Sequence, residues 1–369
     1  MSDPDAGDIS RDVEPSLLDR GRAIFDRLRT PETEPVAEPE PTEEAAEPKP
    51  EEHAAPEAVP APAREPAVAE AEPVTVPEPV PEAAPEPVAD APERVATHRP
   101  SGVAEAALSR TLPRVLAVAN QKGGVGKTTT AVNLGAALAE LGYRVLVIDL
   151  DPQGNATTGL GVNPRNLENS IYDVLLHDVP MEDCIEPTAL RNLFVVPATI
   201  DLAGAEIELV PAFSRELRLR RAIEAQGTDF DFTLIDCPPS LGLITVNGLA
   251  AATEVIVPIQ CEYYALEGLG QLLRNVNLVQ HNLNPRLELS AIILTMYDGR
   301  TKLADQVANE VRAHFGEKVC RNIVPRTVRL SEAPSFGQPI IVFDPTSRGA
   351  IAYRELAKEV SGGAPQRIG

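Results

Sequence analysis

The sequence predicts an α/β fold: a mainly parallel sheet with helices on both faces. Three observations predict it. From residue 114 onward, short Val/Leu/Ile-rich runs alternate with stretches whose apolar residues recur at helical spacing, the pattern of consecutive βα units. The runs are apolar throughout rather than alternating, as strands buried on both faces should be. Polar, glycine-rich clusters directly follow several of the runs, where ligands bind in such sheets.

The elements follow in order. "RVLAVAN" (114–120) reads as a buried strand, and "TTTAVNLGAALAELG" (128–142) as a helix stopping at Gly142. "YRVLVIDLD" (143–151) is a second strand, "DFTLIDCPPS" (231–240) carries a third, and "EVIVPIQ" (254–260) is a fourth. A helix at about 264–281, the strand "ELSAIILTM" (288–296), a helix at about 301–315 and a terminal helix over 346–360 complete the series. The expected folded domain spans 112–361, with a disordered end over 362–369.

The preceding part of the 369-residue chain differs in composition. Residues 31–100 hold 18 of the 36 prolines, and residues 1–110 carry 26 acidic against 10 basic side chains. Most of the formal net charge of −22 therefore lies outside the expected fold. Proline removes hydrogen-bond donors, and like charges repel where few large apolar groups can be buried. Residues 31–111 are expected to form a disordered linker. Within residues 1–30, Leu17, Leu18, Ile24, Phe25 and Leu28 recur at roughly helical spacing, consistent with a short docking helix or with a marginal helix of no role. No run approaches the ~18 apolar residues of a membrane span, and no signal peptide is recognisable. The scattered Cys184, Cys237, Cys261 and Cys320 are expected as reduced thiols in a cytoplasmic protein.

The chemistry is expected at the strand ends. "NQKGGVGKTTTAVNLG" begins at Asn120. Gly123, Gly124 and Gly126 let the backbone wrap phosphate oxygens and aim its N–H groups inward. The helix starting near Thr128 adds the positive end of its dipole. Lys127 places a cation on the β- and γ-phosphates, and the Thr128 hydroxyl is positioned to ligate Mg²⁺. Val125 and Thr129 complete the nucleotide-binding stretch. The loop departs from the usual pattern at its first position, where Gln121 stands for glycine and an additional lysine, Lys122, precedes the glycine pair. In "VIDLDPQGN", Asp149 and Asp151 at a spacing of two face one side of a strand, where a cation would help both stay charged. One would hold the metal shell and the other orient or deprotonate water. Asp236, ending "TLIDCPPS", is the expected acidic partner of Mg²⁺, and Pro238 and Pro239 stiffen the turn after it.

"KGGVGKTT", "DLDPQGN" and "DCPPSLG", in this order and spacing, resemble the ParA/Soj family of partition ATPases, in the deviant Walker A group of phosphate-loop NTPases. "ATIDLAGAEIELV" (198–210), "QCEYYALEGL" (260–269) and "PRTVRLSEAPSFGQPI" (325–340) sharpen the match, which covers about 112–361. The resemblance implies an ATP- and Mg²⁺-dependent ATPase in which Lys122 reaches across an ATP-sandwich homodimer and Asp151 activates water. It also implies that Arg300 and Arg329 contact double-stranded DNA without sequence preference. A ParB-type centromere-binding protein would stimulate hydrolysis and release the protein from the nucleoid.

The basic residues suit that reading in part. Arg215, Arg218, Arg220 and Arg221 are expected on one short helix, read equally as surface ion pairs or as phosphate contacts, and no aromatic interleaving suggests base stacking. A MinD-like role at a membrane surface would need a basic amphipathic C-terminal helix, which "AKEVSGGAPQRIG" does not offer. A nitrogenase-iron-protein role would need cluster-bridging cysteines, and none are recognisable. A further alternative is a scaffold that recruits polar or division proteins through the tail, with the ATPase as timer.

Overall fold

The computed structural model describes residues 111–362 apart from 228, 263 and 264 and the side chain of Glu267. The expected linker, docking helix and C-terminal end (363–369) lie outside the described residues. Seven strands form one sheet: β1 (Arg114–Val118), β2 (Val145–Asp149), β3 (Glu186–Pro187), β4 (Leu193–Val196), β5 (Phe232–Asp236), β6 (Glu254–Gln260) and β7 (Glu288–Thr295). Their order across the sheet is β3-β4-β2-β5-β1-β6-β7. Every pairing is parallel except that of β3 with β4. From β1 the chain moves to β2 on one side and later to β6 and β7 on the other. That reversal opens a crevice at the C-terminal ends of the central strands.

The apolar runs fold this way because both faces of the sheet are covered. Along β1, Ala117 belongs to one apolar core and Leu116 and Val118 to the other. The first core gathers α3 (Ile171–Leu176), α6 (Leu243–Ala251) and α7 (Ala265–Asn282), which follow α1 (Lys127–Glu140), α2 (Asn155–Gly159), α4 (Leu202–Glu208) and α5 (Arg218–Gln226) in the helix count. The second is built around α1 and α11 (Arg348–Ser361), the last helix after α8 (Lys302–Phe315), α9 (Val328–Glu332) and α10 (Ile340–Phe343). Gly135 of α1 is needed there: a Cβ would stand 3.1 Å from both Leu234 Cδ1 and Val147 Cγ2 of the sheet. A buried ion pair closes the end of the sheet opposite the crevice. Arg114 donates to both oxygens of Glu254 at 2.6 and 2.7 Å and to the Val360 carbonyl at 2.6 Å.

Two sequence expectations are corrected. The segment 231–240 contains the fifth strand rather than the third, because the short β3 and β4 precede it. The second strand ends at Asp149, not Asp151. Pro152 and Gly154 (φ 62°) turn the chain out of the sheet there, so Asp151 lies past the strand and the same-face argument does not apply to it.

Candidate nucleotide site at the strand ends

The loop after β1 is held open by conformation and by anchors. Gly124 and Gly126 take φ of 72° and 88°, the left-handed region that other residues avoid. Val125 is buried and its carbonyl accepts from Thr295 Oγ1 at 2.8 Å, pinning the loop to the end of β7. Asn120 Nδ2 donates to the Pro258 carbonyl at 2.8 Å, and Asn120 Oδ1 accepts from the Lys122 backbone at 3.0 Å. Lys127 opens α1 and is 7% exposed. Its ammonium donates to the Lys122 carbonyl at 3.2 Å. Desolvation lowers the Lys127 pKa, against the opposing pull of Asp236 and then Asp151.

Sheet register, not spacing along one strand, brings the carboxylates together. Asp149 of β2 pairs with Asp236 of β5 across the parallel ladder, at the ~4.8 Å spacing of adjacent strands. Both are fully buried. Asp149 Oδ2 accepts from the Thr157 backbone (2.8 Å) and hydroxyl (2.7 Å), and Oδ1 from the Asp151 backbone (3.1 Å). Burial nonetheless pushes its pKa up to about 6. Asp236 is raised well above the carboxylate range, by burial first and by Asp149 next. The Thr128 hydroxyl is near enough to oppose that rise, yet neither Asp236 oxygen has a partner at hydrogen-bond geometry. Buried acceptors without donors are costly. A cation beside Thr128 and Asp236 would remove that cost, so this donor set fits Mg²⁺. Among the described residues no three His, Cys, Asp or Glu side chains converge into a metal-holding group. The remaining ligands would have to come from phosphate and water, the usual manner of Mg²⁺.

Asp151 is half-buried and its Oδ1 accepts from the Gln153 backbone at 3.0 Å. Lys122 is 34% exposed in its side chain and lies 3.6 Å from Glu262 Oε2. Thr129 lines two cavities that flank the first turn of α1, of about 430 and 360 Å³. The smaller runs from Gly126 past Met296, Pro325, Arg326 and Thr327, a volume within the range of small-molecule clefts. Sequence reasoning missed this wall, which joins loops about thirty residues apart. Pro325, Arg326 and Thr327 fall within the quoted stretch 325–340, but nothing in that stretch showed that it would meet Met296 beside the loop.

The candidate DNA residues form a different environment. Tyr297 N donates to the Val324 carbonyl and Arg326 N to the Tyr297 carbonyl, so the segments carrying Arg300 and Arg329 are bridged. Arg300 is 88% exposed and chelates Asp298 at 2.8 and 2.7 Å. That pairing holds the Asp298 carboxyl well below its usual range. Arg329 lies 3.1 Å from Glu332 and 3.4 Å from Asp344. Arg215, Arg218 and Arg220 are paired with Glu216, Asp178 and Glu224, and Arg215 precedes α5 in a tight turn rather than sharing its helix. The four cysteines are free and buried. Among the described residues no helix is long and apolar enough to cross a membrane.

Comparison with known proteins agrees with this geometry. Residues 113–289 match a family described as an AAA domain. The chain is 58% identical over 248 residues to the sporulation initiation inhibitor protein Soj of Bacillus subtilis, covering 67% of this chain and 98% of that protein. It is 54% identical over 250 residues to the chromosome partitioning protein ParA of Myxococcus xanthus, covering 68% and 88%. Among solved structures, one described as cobyrinic acid a,c-diamide synthase from Mycobacterium smegmatis with bound ADP and magnesium superposes with a TM-score of 0.60. It is 46% identical and covers 68% of this chain and 94% of that one.

Proposed function

The chain belongs to the Soj/ParA family of chromosome-partitioning ATPases, and on that premise we propose that it is an Mg²⁺-dependent ATPase whose ATP-bound homodimer holds double-stranded DNA without sequence preference. The observation that carries this reading is Asp236, buried with two unpartnered oxygens beside Lys127 and Thr128. The backbone of Gly123–Gly126 cradles the phosphates, and Lys127 exchanges the Lys122 carbonyl for phosphate oxygens. Thr128 and Asp236 hold Mg²⁺, directly or through water. Asp149, whose oxygens are engaged by Thr157 and Asp151, takes part through water. The metal would neutralise charge on the phosphate oxygens. Asp151 orients the attacking water and accepts its proton. Lys122, outside its own cradle, meets the partner subunit's nucleotide, where a cation stabilises charge developing in the transition state. Arg300 and Arg329, doubled by dimerisation, bind phosphates. A ParB-type partner stimulates hydrolysis and so release from the nucleoid in the cytoplasm, and the N-terminal tail is available to a polar or division protein.

The test is binding to long, unrelated duplex DNA without nucleotide, with ADP-Mg²⁺ and with ATP-Mg²⁺. Asp151→Ala holds the ATP state, and Lys122→Ala and Arg329→Ala are controls. Binding confined to the ATP state, and lost in both controls, is expected. ATP-dependent dimers that ignore DNA would overturn the nucleoid reading and leave the ATPase reading standing.

A further inference from the structure

The proposed function needs the Lys122 ammonium free to meet a partner's nucleotide, yet in the single subunit that ammonium is engaged. It lies 3.6 Å from Glu262 Oε2. Glu262 is itself braced: Gln260 Nε2 donates to its other oxygen at 2.5 Å, and its backbone N–H donates to the Gln260 carbonyl at 2.8 Å. The backbone below is fixed as well. Lys122 N is held by Asn120 Oδ1, and Asn120, 5% exposed, is tied to Pro258 of β6. Just past the end of β6, Glu262 thus presents a carboxylate to the outward lysine of the phosphate loop, whose own backbone is anchored to that strand through Asn120.

We propose that Glu262 is a positioning residue that parks Lys122. It holds the crossing lysine in the isolated subunit, and releases it when a second subunit brings nucleotide to the interface. The contact is suited to release. Both side chains are partly exposed, at 34% and 49%, and such pairs are worth little because water and salt compete. A triphosphate carries more charge and more acceptors than one carboxylate, and takes the lysine from it. Parking keeps the lysine ordered and neutralised until then. Its consequence is a higher threshold for ATP-driven dimerisation, since each dimer must break two such contacts.

The proposal rests on Lys122 crossing the dimer, and the experiment separates the two. Dimerisation of the full chain would be measured by sedimentation with a slowly hydrolysed ATP analogue and Mg²⁺. The proteins are the wild type, Glu262→Gln, Glu262→Asp, Lys122→Ala and Lys122→Ala/Glu262→Gln. An exposed pair is worth up to about fivefold in an equilibrium constant, so two released pairs should tighten the E262Q dimer about two- to twenty-fivefold. Analogue affinity, measured at protein concentrations too low for dimers, should not change. E262D, which keeps the charge, should behave as wild type, and K122A should be equally weak with or without E262Q. An E262Q dimer no tighter than wild type, the same gain in the K122A background, or E262D matching E262Q would each overturn parking. K122A dimerising as wild type would instead sink the crossing-lysine reading, and parking with it.

Discussion

Two charged regions of this molecule are built oppositely. At the C-terminal ends of β2 and β5, Asp149 and Asp236 are buried side by side, with burial raising both pKa values. Around residues 297–300 and 324–329, Arg300 and Arg329 stand in solvent, each neutralised by a carboxylate two or three residues away and, for Arg329, by Asp344 just past α10 as well. The first region is frustrated as it stands and complete only with a cation and phosphates. The second is satisfied as it stands and must exchange partners to bind anything. Substitutions in the first should therefore have large effects that salt hardly touches. Those in the second should be modest and strongly salt-dependent.

The largest expected effect is at Lys127. Lys127→Ala removes the buried cation facing Asp236 and Asp151 and the charge-assisted contacts expected with phosphate. ATP affinity should fall at least ~100-fold, if two or more contacts of about 1.5–3 kcal/mol are lost. Isothermal titration with ATP-Mg²⁺ checks this. A fall below tenfold would move the phosphate site away from this loop.

Asp236→Asn gives the comparison its sharpest sign. A carboxylate whose folded pKa is raised keeps its proton where the unfolded chain has lost it. The folded state then binds more protons, and stability falls as pH rises through that window. For Asp149 the window runs from the ordinary carboxylate value near 4 to about 6, and for Asp236 it extends higher. Without nucleotide, D236N should therefore melt higher than wild type at pH 8, by about 1–3 kcal/mol of relieved burial cost, with the gap closing toward pH 4. The same variant should lose Mg²⁺-dependent tightening of nucleotide binding. A variant that is destabilised at pH 8 would show that Asp236 is satisfied without a cation.

How much of this was legible in the sequence depends on range. The strand β1, its loop and the start of α1 were legible because apolar run, glycines and helix follow within twenty residues. Asp236 was legible as the polar end of "FTLID". The Asp149–Asp236 contact was not, because it depends on β5 inserting between β1 and β2, a pairing set by the whole sheet. "LFVV" of β4 went unread because four apolar residues in an irregular stretch carry no period of their own. The wall of Met296, Pro325 and Arg326 was illegible for the same reason as the carboxylate pair. The ion pairs of Arg300 and Arg329 were readable in principle, since Asp298 and Glu332 lie two and three residues away.

At the exposed region, effects of about tenfold are expected. Arg300→Ala and Arg329→Ala should each weaken DNA binding in the ATP state uniformly across sequences. Each should also reduce the slope of log K against log salt by about 1 if one phosphate contact is lost. Fluorescence anisotropy from 50 to 300 mM salt checks this. An unchanged slope would remove that arginine from the interface.

The smallest effect concerns Asp298. Its carboxylate holds Arg300 through two side-chain contacts, at 2.8 and 2.7 Å, and also accepts from the Arg300 backbone at 3.1 Å. The pair admits two opposite roles. As a competitor, Asp298 must be displaced before phosphate can bind, and Asp298→Asn should tighten DNA binding. As a guide, it pre-orders a side chain that is otherwise 88% exposed, and D298N should weaken binding through lost order. Competition should win here. Phosphate and carboxylate seek the same guanidinium edge, and repulsion between Asp298 and DNA adds to the cost of displacement. The expected gain is about two- to fivefold at 50 mM salt, the scale of one exposed pair, shrinking as salt screens both partners. Arg300→Ala/Asp298→Asn should bind much as Arg300→Ala alone does. If D298N instead weakens DNA binding at every salt concentration, the exposed region shares with the buried one a dependence on charges held in place, and the contrast between the two would narrow to burial alone.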